Sequence, residues 1–191
     1  KDDLVGERRA AAARELLGEA LTLGQTRPDL LSRIEQNLGI IATIQGDHAA
    51  ALRHYRSSLA ACEAAGDDKG RAIAYHNLGM ISADQREWPE AERYYLESLR
   101  LAEASGDQHL QGLCRLNHAE VHLARQAYEL ARESAEAALA IFDRMGSRLD
   151  KSDAYRVLGV VYRETGRQAL AEARLSAAIE SAVSTGAVLS E

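Results

Sequence analysis

Proline and aromatic residues are scarce in this sequence. Only two of its 191 residues are proline, and aromatic residues make up 5% of the chain. Alanine, by contrast, is abundant. Strands favour aromatic and β-branched residues, whereas alanine has the highest helix propensity. The composition therefore favours an all-α fold and argues against a β-sandwich.

Lysine is also rare, because it occurs only as Lys1, Lys69 and Lys151, while the other basic residues are arginines. The formal net charge is -6. A protein that binds nucleic acid generally carries a basic stripe, so we expect no direct contact with nucleic acid. The combined alanine and arginine bias is typical of high-GC bacterial coding and indicates a bacterial protein.

Cysteine occurs only as Cys62 and Cys114, which form no CxxC pair and fit no ligand spacing. We expect two reduced, partly buried thiols rather than a disulfide or a nucleophile. No run of 18 apolar residues is present, and no signal-peptide pattern is visible. These absences predict a cytoplasmic protein that does not enter a membrane.

A repeat of 40 residues extends over most of the chain. Its clearest signature is a tripeptide, which is Asn37-Leu38-Gly39 and then Asn77-Leu78-Gly79, Asn117-His118-Ala119 and Val157-Leu158-Gly159. Other positions recur in the same register, for example Gly66 as Gly106 and Gly146. A fixed period of this kind indicates stacked supersecondary units rather than one globular core.

Each repeat is predicted to contain two amphipathic helices. In the second repeat, apolar residues at three- and four-residue steps predict helix A over about 69–84 and helix B over about 89–104. Pro89 suits the first helical turn, where its missing N–H removes no bond. Gly106 is a natural left-handed helix terminator, and Asp107 can cap the next helix. The same glycine-then-cap pair occurs as Gly46-Asp47, Gly66-Asp67 and Gly146-Ser147.

The period divides the chain into four repeats, which cover 27–66, 67–106, 107–146 and 147–186. Residues 1–26 match the helix B pattern with an offset of 38 rather than 40 residues. They are interpreted either as helix B of a preceding partial repeat or as an N-terminal cap. Residues 187–191 are expected to start a following helix. Because terminal repeats need polar caps and the chain begins at Lys1, we expect it to be part of a larger protein.

Small residues recur at one position of each predicted helix. In helix A they are Gly39, Gly79, Ala119 and Gly159, and in helix B they are Ala51, Ala91, Ala131 and Ala171. Glycine inside a helix costs about 0.5–1 kcal/mol relative to alanine. The recurrence of glycine therefore predicts that helices A and B approach each other closely at these positions.

The pattern resembles the tetratricopeptide repeat family. The residues that carry the resemblance in the second repeat are Tyr75, Leu78, Gly79, Trp88, Ala91, Tyr95 and Ser98. The family repeat usually has about 34 residues. The longer repeat and its Asn-Leu-Gly signature resemble the branch that includes kinesin light chains, spindle-orientation scaffolds and many bacterial regulators. The resemblance implies a right-handed α-solenoid of helix–turn–helix repeats that binds a protein or peptide, without a cofactor and without enzymatic activity.

The resemblance also implies that helix A lines a concave groove. The groove positions are Arg33, Gln36, Asn37, Ile40, Ile73, His76, Asn77, Met80, Leu113, Leu116, Asn117, Glu120, Asp153, Arg156, Val157 and Val160. The row formed by Asn37, Asn77 and Asn117 is the sharpest functional indication, because a carboxamide both donates and accepts and can pair with an extended peptide backbone. The alternative is that each asparagine bonds a neighbouring helix.

Two alternative functions are a metal-dependent enzyme and a homodimer. His118 and His122 have the four-residue spacing of paired metal ligands, which would suit a metal-dependent enzyme. No third ligand is apparent, and His118 occupies a leucine position of the repeat, so we expect a packed histidine and no metal site. Trp88 and Tyr128 are expected to be core aromatics. The remaining alternative is a homodimer, in which exposed repeat ends stack on each other.

Overall fold

The structure is a computed structural model that describes residues 27–188, with side chains described over 27–184. This range contains eight α-helices and no strand, which confirms the all-α prediction. The helices are α1 (Pro28–Ile44), α2 (His48–Ala65), α3 (Asp68–Asp84), α4 (Trp88–Ser105), α5 (Gln108–Ala124), α6 (Tyr128–Met145), α7 (Arg148–Glu164) and α8 (Gln168–Val188). The predicted partial repeat over 1–26 lies outside the described residues.

The helices repeat with the period of the sequence. The first helices of the four pairs begin at Pro28, Asp68, Gln108 and Arg148, and the second helices begin at His48, Trp88, Tyr128 and Gln168. Both series therefore advance by 40 residues. The odd-numbered helices are called A helices below, and the even-numbered ones B helices. Helices α3 and α4 match the predicted helices of the second repeat to within one residue at each end.

Most of the predicted helix caps are present. Asp47, Asp67 and Asp107 each accept a hydrogen bond from the backbone N–H three residues later, at 2.9, 2.9 and 3.1 Å. Ser147 differs, because its hydroxyl donates to the carboxylate of Asp150 and makes no capping bond to the backbone. The charged carboxylate of Asp150 is a strong acceptor for this hydroxyl, and the equivalent residues of the preceding A helices, Leu110 and Gly70, have no such group.

The last helix does not end where the repeat predicts. We expected α8 to end at Gly186 and a new helix to begin at 187, but α8 continues to Val188. The glycines that follow α2, α4 and α6 have φ values of 67°, 72° and 70°, and an aspartate or serine comes directly after each of them. Gly186 is followed by Ala187, which offers no capping oxygen. The local signal that ends one helix and begins another is therefore missing.

The chain forms two compact units, with the division between Tyr94 and Tyr95 in α4. In unit 1, α1 packs on α2, α2 packs on α3, and α1 also contacts α3. The buried cluster of unit 1 contains Ala42, Ala51, Tyr55, Leu78, Ile81 and Tyr94.

Unit 2 has the same order of contacts. Helix α5 packs on α6, α6 on α7 and α7 on α8, and α5 also contacts α7. Its buried cluster contains Phe142 together with residues of α5, α6, α7 and α8. Tyr128 packs against this cluster and is half-buried, as is Trp88, so the predicted core aromatics lie at the core boundary rather than inside it.

The predicted small residues are buried. Ala51, Ala91, Ala131 and Ala171 are at most 1% exposed. In unit 1, a Cβ at Gly39 would lie 2.4 Å from the ring of Tyr55, and in unit 2 a Cβ at Gly159 would lie 2.6 Å from the side chain of Leu175. These positions therefore allow the A helix and the B helix of one pair to approach closely.

Candidate functional site

The predicted binding positions of unit 1 lie on the A helices α1 and α3, which contact each other. Arg33, Asn37, Ile40 and Met80 are exposed, and Gln36, Ile73 and Asn77 are half-buried. Two of the exposed side chains are large and apolar, since Ile40 is 41% and Met80 40% exposed. Arg33 forms no ion pair with another residue of 27–184. This surface therefore combines apolar side chains, carboxamides and one cation.

Asn37 and Asn77 occupy equivalent positions on these two neighbouring helices. Neither side chain hydrogen-bonds another residue within the described part of the chain. The alternative interpretation, in which each asparagine bonds a neighbouring helix, does not apply to these two. Asn117 is half-buried and has an interaction within the molecule. It therefore differs from Asn37 and Asn77, although all three occupy equivalent positions of the repeat.

His76 is predicted to lie in the groove, but it is only 8% exposed. The equivalent residue of the next repeat, Leu116, is 5% exposed. This position is therefore buried in the second and third repeats, whereas its equivalents Gln36 and Arg156 in the first and fourth repeats are half-buried and exposed. Little of the imidazole is left for a ligand to contact.

Three predicted positions of unit 2 come together at the contact between α5 and α7. Nη2 of Arg156 donates to Oε1 of Glu120 at 2.5 Å, and Nε of Arg156 lies 3.7 Å from Oδ1 of Asp153. All three residues are exposed, so water screens the ion pairs and their contribution to stability is small. Leu113, the remaining predicted position on α5, is half-buried.

The two units therefore present different chemistry at equivalent positions. The counterparts of Glu120 and Arg156 in unit 1 are Ile40 and His76. Unit 1 thus has an exposed isoleucine and a buried histidine at the positions where unit 2 has an exposed ion pair. The repeat period predicts which positions are equivalent, but it does not predict this difference in character.

One set of side-chain contacts between the A and B helices was not predicted. Nδ1 of His54 on α2 lies 2.7 Å from Oε2 of Glu35 on α1, and Glu35 is only 8% exposed. The equivalent pairs in other repeats are Tyr75 with Tyr94, whose ring centroids are 6.1 Å apart, and Tyr155 with Arg174, whose guanidinium carbon lies 5.7 Å from the ring centroid. This position thus joins the A and B helices of a repeat. The signal in the sequence is a charged residue, Glu35, where two other repeats have tyrosine.

The histidines considered as metal ligands pack against aromatic rings. The ring of His118 meets the ring of Tyr95 edge-on, with centroids 5.9 Å apart, and lies 5.6 Å from the ring of His122. This is the packing role predicted for His118. Among the residues that the structure describes, no three His, Cys, Asp or Glu side chains are grouped so that they could hold a metal ion.

Cys62 and Cys114 are both free and buried. Burial raises the pKa of the Cys114 thiol to about 11, and it also raises the pKa of Cys62. The Cys114 thiol donates to Oγ of Ser98 at 3.1 Å. Both thiols are therefore protonated at neutral pH, which makes them weak nucleophiles.

A serine, an aspartate and a histidine also meet in unit 2. Oδ2 of Asp150 accepts from the hydroxyl of Ser147 and lies 3.1 Å from Nε2 of His109. A serine nucleophile needs a base such as histidine on its own hydroxyl. Here the carboxylate lies between the two, so this cluster is not arranged as a catalytic triad.

Similarity to known proteins agrees with these features. The tetratricopeptide repeat model matches residues 70–144 and 113–182. The chain belongs to the tetratricopeptide repeat family. Repeats of this family typically mediate protein–protein interactions and are typically not enzymes. The predicted family resemblance and the right-handed α-solenoid class are therefore confirmed.

The repeats are also similar to a solved structure. The crystal structure of BtubC (BKLC) from P. vanneervenii has 26% sequence identity and a TM-score of 0.79, and the match covers 94% of this chain and 74% of BtubC. A search of the curated proteins found no match. Over the residues described, none of the helices has the length and apolar character needed to cross a membrane.

Proposed function

We propose that this tetratricopeptide-repeat chain is a non-enzymatic protein-interaction module of a scaffold or regulatory protein. In this proposal, unit 1 binds an extended peptide or a helix of its partner on the surface formed by α1 and α3. The observation that carries the proposal is the pair Asn37 and Asn77, whose side chains have no hydrogen bond within the described residues although they lie at equivalent positions of two neighbouring helices.

The chemistry of this surface suits a peptide backbone. Each carboxamide can accept from a peptide N–H and donate to a peptide C=O, so the two asparagines hold successive segments without selecting particular side chains. Ile40 and Met80 supply apolar contact area beside them, and methionine adapts to side chains of different shape. Arg33 adds a cation at the N-terminal side of α1 that can pair with a carboxylate of the ligand.

Unit 2 contributes differently in this proposal. A ligand there meets the ion pair between Arg156 and Glu120, with Asp153 beside it. Because these ion pairs are exposed, a charged ligand side chain can exchange with one partner at little cost. We therefore assign charged contacts to the α5–α7 surface and backbone contacts to the α1–α3 surface.

The test begins with peptides selected from a random peptide library on the immobilised chain. Backbone amide hydrogen exchange is then measured with and without a selected peptide. Added protection in α1 and α3, with none in the exposed half of α2, is the expected result. Selection of no peptide, or protection confined to the B helices, would contradict a binding surface on the A helices.

A further inference from the structure

Equivalent positions of α1 and α3 present the same chemistry twice. Asn37 and Asn77 are one repeat apart, and neither carboxamide hydrogen-bonds another described residue. Ile40 and Met80 are also one repeat apart, and they are 41% and 40% exposed. In each helix the apolar residue follows the asparagine by three positions, so both lie on the same helix face. Unit 1 therefore offers a ligand two copies of one carboxamide-and-apolar pair.

The spacing of the two copies limits the conformation of the ligand. Helices α1 and α3 contact each other, and the axes of packed helices lie about 8–10 Å apart. A ligand whose backbone meets both asparagines in the same way must repeat at this distance. Its backbone groups must also face the same direction after each repeat.

Polyproline II is the regular backbone conformation that meets both conditions. It has three residues per turn and rises about 3.1 Å per residue, so it repeats every ~9.3 Å. A β-strand faces the same direction again after two or four residues, at about 6.6 or 13 Å, which is too short or too long. An α-helix uses its own backbone groups in internal hydrogen bonds. Polyproline II has no internal hydrogen bonds, so its carbonyls are free to accept from a carboxamide.

The charge of this surface indicates one further feature of the ligand. Arg33 lies four residues before Asn37 and forms no ion pair within residues 27–184. The equivalent residue on α3 is Ile73, so the cation is present on the α1 side alone. Its complement is a carboxylate near one end of the ligand.

Unit 2 does not repeat this arrangement. Its asparagine, Asn117, has an interaction within the molecule, and Glu120 occupies the position of Ile40 and Met80. Glu120 pairs with Arg156 instead of offering apolar contact area. The two-copy site is therefore confined to α1 and α3, which corresponds to about two turns, or roughly six residues, of polyproline II.

On the basis of the binding surface proposed above, we propose that its ligand is a proline-rich segment in the polyproline II conformation, with an acidic residue near one end. Ligand carbonyls three residues apart accept from the carboxamides of Asn37 and Asn77. Proline rings pack against Ile40 and Met80, and methionine adapts to their shape. The ligand carboxylate pairs with Arg33.

The experiment is fluorescence anisotropy with a labelled peptide of six prolines and an aspartate at each end, so that either direction of binding brings a carboxylate to Arg33. The same peptide made from D-amino acids is the matched control, because it has equal composition and charge but the opposite helical hand. The L-peptide should bind, and the D-peptide should show no saturable binding. This comparison uses the unmodified chain and does not depend on the folding of any variant.

Substitutions then locate the site. Asn37→Ala with Asn77→Ala should weaken binding of the L-peptide roughly 5- to 150-fold, because two hydrogen bonds are lost. Arg33→Ala should also weaken binding and make the affinity less sensitive to salt. Arg56→Ala with Ser57→Ala, which changes exposed residues of α2, should leave the affinity unchanged. Circular dichroism checks that each variant keeps its helices.

Equal binding of the two mirror-image peptides overturns the proposal, as does unchanged affinity in a folded asparagine variant. If the proline peptide does not bind but library-selected peptides without proline protect α1 and α3 from hydrogen exchange, polyproline II is the wrong ligand class and the proposed function stands. If no peptide of either kind protects these helices, both proposals fail.

Discussion

The ring of Tyr55 occupies the space that a side chain at Gly39 would need. A Cβ at position 39 would lie 2.4 Å from Cε1 and 2.6 Å from Cδ1 of the ring. Tyr55 is 3% exposed, and its hydroxyl lies 3.1 Å from Oγ1 of Thr43. The ring cannot move aside without losing both its packing and this hydrogen bond, so α1 tolerates no side chain at this position.

Other repeats show the same compensation in size. The counterparts of Gly39 and Tyr55 in the fourth repeat are Gly159 and Leu175, whose side chain fills the corresponding space. In the third repeat the counterparts are Ala119 and Ala135, both fully buried. Where the A helix gains a methyl group, the B helix loses its large side chain. Total volume at the contact is thereby kept within what a packed interior accepts.

Gly39→Ala is therefore expected to destabilise the protein by about 1–3 kcal/mol, because overpacking outweighs the gain in helix propensity. In a Tyr55→Ala background the same substitution should stabilise by about 0.5–1 kcal/mol, because only the propensity term remains. Urea unfolding followed by circular dichroism measures both effects. An equal change in the free energy of unfolding in both backgrounds would show that Gly39 and Tyr55 are not coupled.

Two turns between the A and B helices contain a residue with an unfavourable backbone conformation. Arg86 and Gln126 each have a φ of 61°, whereas Gly46 and Gly166 fill the equivalent position in the other two repeats, with φ values of 73° and 74°. Residues other than glycine rarely adopt this left-handed backbone conformation. For most of them the conformation costs about 1–2 kcal/mol. These two repeats therefore carry strain that the other two avoid.

Arg86→Gly and Gln126→Gly should each raise the free energy of unfolding by about 0.5–1 kcal/mol. The reason is that the backbone strain relieved in the folded state exceeds the cost of the greater conformational entropy that glycine has in the unfolded state. The measurement is the midpoint of thermal unfolding. Gly46→Arg is the reverse control, and it should lower that midpoint. If the glycine variants lower the midpoint instead, the left-handed conformation costs less than the entropy of glycine.

Burial of Cys114 predicts a loss of stability at high pH. The pKa of this thiol is about 11 in the folded chain, above the ordinary value of 9.0. Above the ordinary value the unfolded thiol is ionised while the folded one still holds its proton, so the unfolded state becomes favoured as the pH rises toward 11. The loss is up to about 3 kcal/mol, at 1.36 kcal/mol for each of the roughly two pKa units.

Cys114→Ala should remove this part of the pH dependence, although it lowers stability at neutral pH by creating a small cavity. Urea unfolding at neutral pH and at about pH 10, between the two pKa values, gives the comparison. Cys62→Ala is the control, because its thiol is less strongly perturbed. If the stability of the Cys114 variant depends on pH in the same way as that of the unmodified chain, burial does not raise the pKa of this thiol.

The sequence predicts the helices of this fold better than it predicts the exposed surface. Helix starts follow from glycine-then-aspartate pairs such as Gly66-Asp67, because those residues act within a few positions of the chain. The burial of His76 was not predicted, since it depends on the size of side chains on neighbouring helices. The ion pair between Arg156 and Glu120 joins two repeats and depends on side-chain conformations that a repeat pattern does not contain.

The final prediction concerns Asn37 and Asn77. If these side chains hold a peptide backbone, the double substitution Asn37→Ala with Asn77→Ala removes two pairing groups. Each lost hydrogen bond is worth about 0.5–1.5 kcal/mol, so affinity for a library-selected peptide should fall roughly 5- to 150-fold. Fluorescence anisotropy with the labelled peptide measures this change. The double variant should keep its unfolding midpoint, because neither carboxamide hydrogen-bonds another described residue.

The matched control is Arg56→Ala with Ser57→Ala, which removes two exposed polar side chains from α2 instead. That variant should bind the peptide with unchanged affinity. If both double variants weaken binding equally, the peptide is not held by the A-helix asparagines. If the asparagine variant unfolds at a lower urea concentration than the control, then Asn37 and Asn77 stabilise the repeats themselves, and their lack of hydrogen bonds to described residues has no bearing on binding.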